Sequence, residues 1–578
     1  MEKKDSKRNY NVFFNTHTVS GIVISVGLFV CFFAGAFALF LDNINTWEAN
    51  KKNETDYAKI DYERVIQVVE EEGYEMDGRQ LGIFLRDDNP SYIQVNSQPL
   101  KIERDSIATE EAKKMTEQDS TAQAGFFLKI DPDSYEIKAK KFDSHTTQLG
   151  TFLYHLHYFE QIPTIGIYLA GLVSIFFLFA IVTGIVVHWK KIISNFFTFR
   201  LKASFKNLWT DAHTALGVIG LPFQFMYAVS GSLYGLTILI FIPSMMILFD
   251  GDQEEMISYI APGFGSGEMA NKTLASRQNV NQLVDKAVAQ YDGKHVRSVF
   301  LNLTNFNDEN AQLNVSMEVQ DGKAFYSNAS TKYSLATGEV VSENKLGDNS
   351  YTDSVILTIH KLHFAQYGGY FIKAIYFILA LITCFVILSG VMVWLEARDN
   401  KKYEAKKKFN TNVGAIYLGI CMGLFPAIAF FFCITKIFPS EMENRFGTMS
   451  NVFFTFWIGY TLYAYIIKDF HRINKHALLL AGAMGLAIPI LNGLQSGLWP
   501  WISLSQGYVD TFFIDISWFF LGLISLTTAL SAQRLVAQRK IRKEKQVKEK
   551  QKVEEEVPIE IPVMAMKHSS STEYTTNS

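Results

Sequence analysis

Apolar residues in this chain gather into runs near 18–41, 164–188, 213–240, 367–395, 412–436, 451–468, 477–498 and 512–531. Each is close to the roughly 20 residues a helix needs to cross the hydrocarbon core of a bilayer, so the pattern predicts eight spans. Two stretches of mixed periodicity interrupt it, 42–155 and 250–358. In the second, apolar positions at Leu283, Val284, Ala287 and Val288 predict a helix over 281–291. Alternation then predicts strands over 296–303 and 312–319 and a hairpin around Ala336-Thr-Gly338. The first stretch repeats the outline, with a helix over 62–71, strands near 81–85, 92–95 and 126–130, and Asp131-Pro-Asp-Ser134 as a turn.

The outline repeats because the sequence does. Leu156-His157-Tyr158 returns as Leu362-His363-Phe364, and a Thr/Ser-Gly pair follows each histidine at the same distance, Thr183-Gly184 and Ser389-Gly390. His17 and His213 open two further apolar segments, each with a glycine four residues on, Gly21 and Gly217. The unit is span, α+β segment, span, occurring twice, followed by four extra spans. The predicted fold is therefore a polytopic α-helical membrane protein of about eight transmembrane helices carrying two small α+β domains on one face. Its parts are an N-terminus and first span (1–41), a first outer domain (42–162), spans two and three with a basic loop (163–249), a second outer domain (250–362), span four (363–398), four additional spans (399–535) and a charged, disordered tail (536–578).

Lys and Arg set the orientation. The start (Lys3, Lys4, Lys7, Arg8) and the loops after spans two, four and six are short and basic, which places them and both termini in the cytoplasm of a bacterial inner membrane. Both α+β segments then lie outside. No cleavable signal peptide is expected, because the first apolar run is too long for one. All four cysteines lie inside apolar segments, which excludes a disulfide framework and a Cys-x2-Cys site. The cluster Gly263-Phe-Gly265-Ser-Gly267 follows no strand and reads as linker, and no nucleic-acid partner is expected.

The topology puts His17 and His213 at the cytoplasmic end and His157 and His363 at the outer end, one pair per leaflet across a pseudo-twofold axis. Facing imidazoles across a helix bundle suit the axial positions of a haem iron, and small residues beside them leave room for a flat macrocycle. The alternative is that the four are interfacial or packing residues. Ionisable groups on intramembrane segments that face a bundle interior are more often functional, and the matched pairs favour ligation. His188, at the end of span two, is a further possible ligand to the inner iron or a partner for a haem propionate. His155 and His360 share no register and read as domain-edge residues; His145, His295, His471, His476 and His568 read as surface residues.

With these residues on the page, the chain resembles the PepSY-associated transmembrane helix family, whose relatives include iron-regulated membrane proteins and ferric-siderophore reductases. The resemblance covers about residues 10–398. It rests on His17-x3-Gly21, Leu156-His157, Thr183-Gly-Ile-Val-Val-His188-Trp-Lys-Lys, Trp209-Thr-Asp-Ala-His213-x3-Gly217 with Leu221-Pro-Phe223, and Leu362-His363-Phe-Ala-Gln-Tyr-Gly368-Gly369. It implies that the outer segments are PepSY-like domains and that the bundle holds two b-type haems on His17, His213, His157 and His363. It also implies a transmembrane reductase passing electrons to a ferric siderophore or other iron chelate outside. Position 224 is Gln where the resemblance implies His. The chain has no nucleotide or flavin motif, so the electron donor is a quinol or a separate cytoplasmic reductase. The rival reading is a non-redox PepSY protein acting as scaffold, permease or regulator of exported proteases.

Overall fold

The structure is a computed structural model that describes residues 2–52, 60–86, 89–97, 125–140, 149–197, 200, 205–252, 256, 259, 268–291, 294–320, 328–348, 351–399, 401–439, 442 and 444–531. The glycine cluster at 263–267, His145, the tail from 536 and His568 lie outside those residues.

In chain order, α1 (Glu2–Ala38) is followed by the short α2 (Leu41–Ala49), α3 (Tyr62–Glu71), α4 (Leu149–His157) and α5 (Gly166–His188). Next come α6 (Phe205–Ile219), α7 (Leu221–Leu248), α8 (Val280–Ala289), α9 (Tyr351–His363) and α10 (Gly369–Glu396). The C-terminal unit is α11 (Lys407–Ile437), α12 (Arg445–Ile467), α13 (Phe470–Ser496) and α14 (Val509–Ser531).

Among the described residues six helices are long and apolar enough to cross a membrane: α1, α5, α10, α11, α13 and α14. A seventh span forms if the bent pair α6–α7 is counted as one. The 70° bend follows from Pro222, which has no N–H to continue the ladder past Gly220. The stretch expected as the sixth span lies on α12, which runs antiparallel to α11 with Phe453 against Phe431 and Phe456 against Phe430. Its serines, threonines and tyrosines keep it below the apolarity of the six. Tight approaches build the first half of the bundle: a Cβ on Gly235 would stand 2.4 Å from the Gly171 Cα, so α5 and α7 touch backbone to backbone.

Outside the bundle, strands from both α+β segments pair into one eight-stranded antiparallel sheet, ordered β4-β3-β2-β1-β5-β6-β7-β8. The strands are β1 (Leu81–Arg86), β2 (Asn89–Ser97), β3 (Phe126–Ile130), β4 (Ile137–Lys140), β5 (His295–Thr304), β6 (Gln312–Gln320), β7 (Asn328–Ser334) and β8 (Val340–Asn344). The two repeats meet where β1 pairs with β5, Ile83 opposite Leu301 and Phe84 opposite Phe300. Pairing here removes two open edges that would otherwise be exposed templates for association.

The capped helices α3 and α8 cover one face of this sheet. Asp61 accepts from the Arg64 amide, and Asn279 from that of Gln282. The helices are tied to each other by Asn281, which accepts from the Tyr62 amide (2.7 Å) and donates to Asp61 (2.8 Å). Beneath them Leu81, Ile83, Val95, Leu301, Leu313 and Val315 form a single core, each burying a side chain that contributes about 1.5–3 kcal/mol. Lys51–Asp131 (2.8 Å) and Lys361–Glu318 (3.3 Å) join the sheet to the helices.

One core shared by two repeats should unfold as one. Leu301→Ala is predicted to cost about 2–5 kcal/mol and to expose both α+β segments to limited proteolysis at the same temperature. Cleavage confined to the segment after residue 268 would mean that the halves fold separately.

Candidate functional site

At the end of the bundle far from the sheet, His17 on α1 and His213 on α6 face each other with ring centroids 6.2 Å apart. The Nδ1 of His17 lies 2.9 Å from the Ala180 carbonyl on α5, and that of His213 lies 2.9 Å from the Val386 carbonyl on α10. A carbonyl only accepts, so each Nδ1 carries the proton and each Nε2 keeps its lone pair. The Thr183 and Ser389 hydroxyls stand beside the same nitrogens, at 3.5 and 3.2 Å. A Cβ on Gly184 would come within 3.0 Å of the His17 ring, and one on Gly390 within 3.1 Å of the His213 ring. The Thr/Ser-Gly pairs are thus the seats of the far-side histidines. Gly21 has nothing within 4 Å of where its Cβ would be, and Gly217 only Val386 at 3.9 Å, so space is open one turn along from each ring.

At the sheet side, His157 ends α4 and His363 ends α9, again with ring centroids 6.2 Å apart. The Ser230 hydroxyl donates to the Met226 carbonyl (2.8 Å) and accepts from His363 Nδ1 (2.7 Å), while the Tyr227 hydroxyl donates to the His363 carbonyl (2.7 Å). Among the described residues His157 Nδ1 is buried without a hydrogen-bond partner. The repeat explains the difference: Ser230 comes seventeen residues after His213, and the residue seventeen after His17 is Ala34, which has no hydroxyl. The pair lies on the wall of a cavity of about 480 Å³ shared by α1, α4, α5, α7 and α9, with Gly35, Phe32, Tyr234 and His360 also lining it. That volume is in the range of small-molecule and cofactor sites.

The spacing can be tested against an iron held between two imidazoles. A metal–imidazole bond of about 2.0 Å on each side, plus roughly 1 Å from each donor nitrogen to its ring centre, separates trans centroids by about 6 Å. Both pairs meet this. Among the described residues no three His, Cys, Asp or Glu side chains cluster to hold an ion. An ion here would take its remaining ligands from a non-protein group, which is what a porphyrin supplies. Backbone carbonyls and a serine on the outer ring nitrogens are the usual supports of ligating histidines. The residues present fit the expected haems.

His188 ends α5 close enough to interact electrostatically with both His17 and His213, yet the two rings that face each other are His17 and His213. His360, expected at a domain edge, lies on the cavity wall 3.3 Å from the Tyr234 hydroxyl. His471 and His476, expected on a surface loop, fall within the first turns of α13 and are half-buried, and His476 Nδ1 lies 2.5 Å from the Tyr463 hydroxyl. Gln224 is buried at the α6–α7 bend and donates to Thr383 (3.3 Å), not to either pair. The residues that sequence reasoning missed are Ala180, Val386 and Ser230. The repeat gave no signal for Ser230, because the residue at the same offset from His17 is Ala34.

The sequence profile of a family described as PepSY-associated TM region matches residues 14–397, a stretch holding all four paired histidines. An uncharacterized protein of Pseudomonas aeruginosa is 21% identical over 335 residues, 57% of this chain and 81% of that protein. Helices α11 to α14 lie beyond the family match.

The ring seats yield a direct test. Gly184→Val or Gly390→Val places methyl groups where an imidazole now lies, and either is predicted to abolish ligand binding at the far-side pair while leaving the sheet-side pair at full occupancy. Absorbance per chain in the purified variant measures this, the expected value being half that of the unsubstituted protein.

Proposed function

The chain belongs to the family of PepSY-associated TM regions, and from that premise we propose that it is a transmembrane electron-transfer protein with two b-type haems. It reduces a ferric siderophore or other ferric chelate on the sheet side with electrons supplied at the opposite, cytoplasmic face. One observation carries this reading: two symmetry-related imidazole pairs, one at each end of the bundle, share a centroid separation of 6.2 Å.

Bound haem would supply a one-electron carrier in each leaflet. The chain's own residues prepare for it. His17 and His213 are held as Nδ1–H tautomers by Ala180 and Val386, which leaves each Nε2 lone pair free to donate and restrains each ring. At the other end Ser230 and Tyr227 fix His363, and Phe32, Phe177 and Phe223 line the cavity and keep water away from it. The sheet lies at that end, where a substrate would be met. Ferric iron in a siderophore is held by hard oxygen donors, and reduction weakens the hold because affinity depends on the charge and softness of the metal. The short basic loops favour a cytoplasmic donor side, where a quinol or a separate reductase would deliver electrons.

In sealed vesicles of known sidedness, electrons supplied at the cytoplasmic face are expected to reduce a ferric chelate confined to the sheet side. His157→Ala or His363→Ala should stop reduction of the chelate while leaving the far-side centre reducible. Centres that are reduced but never reoxidised by any ferric chelate would give the protein another acceptor, and a colourless, folded preparation would make it a non-redox member of the family.

Ser230→Ala offers a second check. Loss of the hydrogen bond to His363 Nδ1 makes that imidazole a weaker base, and the midpoint potential of the sheet-side centre should rise by about 40 mV, corresponding to about 1 kcal/mol. Spectroelectrochemical titration reads both centres, and the far-side one should not move.

A further inference from the structure

We propose that the four C-terminal helices, which lie beyond the family match, act through α2 to set the position of His157; the proposal builds on the reading of the sheet-side pair given above. Helix α2 is nine residues long, and its polar side chains Asp42, Asn43, Asn45 and Thr46 are buried with Trp47. Three of the C-terminal helices bond to it directly, and the fourth does so through Asp515. Asn43 donates to Asp510 on α14 (2.9 Å), and the Trp47 indole donates to Asp515 on the same helix (2.8 Å). Asp515 also accepts from Asn492 on α13 (2.8 Å). Arg445 on α12 donates to Glu48 (2.9 Å), and Lys436 on α11 donates to the Trp47 carbonyl (2.9 Å) and to Asn50 (2.8 Å).

The other edge of α2 holds the start of α4, the helix that His157 ends. The amide of Leu149 donates to Glu48 (2.7 Å), that of Gly150 donates to Asn45 (2.8 Å), and Asn45 donates to the Thr151 hydroxyl (3.1 Å). The first amides of a helix have no partner within it, so α2 supplies the cap of α4. Directly behind, Phe152 inserts among Phe431, Phe446, Phe453 and Phe454 of α11 and α12.

This matters for His157 and not for His363. Among the described residues the Nδ1 of His157 has no hydrogen-bond partner to hold its ring, so the place of that ring depends on where α4 lies. His363 is held directly, by Ser230 and Tyr227 on α7. Buried charged and polar groups cost more to bury than apolar ones and, where they are retained, fix one register. Here the register they fix is that of α4 against the bundle.

The test uses the full-length protein with Trp47→Phe, which removes the donor to Asp515 but keeps an aromatic ring, and Asn45→Ala, which removes the cap. Asn45→Asp keeps an acceptor for the Gly150 amide and serves as the conservative rescue. Low-temperature EPR of the ferric protein should show the sheet-side signal displaced in Trp47→Phe and Asn45→Ala, the far-side signal unmoved, and both at their original positions in Asn45→Asp. In protein produced without haem, diethyl pyrocarbonate should modify His157 several-fold faster in the first two variants, with His17 and His213 unchanged. Unaltered reactivity of His157 in both variants, or equal changes at the two pairs, would overturn the proposal. A protein that never binds haem would defeat the proposed function, and the reactivity of His157 would still decide the brace.

Discussion

The hydrogen bond from an imidazole Nδ1 to a carbonyl one helix away is the interaction on which the far end of this bundle depends. It decides which nitrogen carries the proton, and so which one is free to donate. His17 reaches Ala180 and His213 reaches Val386 at the same 2.9 Å, because α1 against α5 and α6 against α10 are copies of one antiparallel pair. Gly184 and Gly390 are small for the same reason, since the ring occupies the place of a side chain. The repeat of this bond brings the two rings to face each other at 6.2 Å, the spacing that the proposed iron between them would need.

The sheet-side pair obeys the same geometry with different supports. A hydroxyl replaces the carbonyl at His363, and among the described residues His157 Nδ1 has no such support, so the two repeats differ at this pair. The remaining structure compensates around that point. The shared sheet ties the two repeats together through β1 and β5, and the C-terminal helices hold α2, which caps the helix carrying His157. Energetically these are different devices. The sheet relies on apolar burial in a single core, whereas the α2 clasp relies on directional bonds between groups that are costly to bury.

Much of this was legible in the sequence, for particular reasons. The helix over 62–71 and the strand over 126–130 lie where periodicity placed them, because one face of each is buried. The histidine pairs could be matched because the repeat keeps their spacing. What escaped depends on contacts distant in the chain. Ile83 pairs with Leu301, so two expected domains share one sheet, and no local pattern encodes that pairing. The Thr/Ser-Gly pairs were visible as motifs, yet they serve the other histidine of each repeat, which only helix packing reveals. The stretch 451–468 lies on α12, which packs antiparallel to α11 and begins at Arg445, whose partner is Glu48 on α2.

On the proposed reading each imidazole pair ligates one iron from both sides. The most direct measurement is quantitative EPR of the purified ferric protein alongside a pyridine haemochrome assay. The expected result is two b-type haems per chain, both low-spin with two axial imidazoles, one lost with either His17 or His213 and the other with either His157 or His363. A high-spin signal at full haem occupancy, or both haems surviving loss of His17 and His157 together, would contradict it.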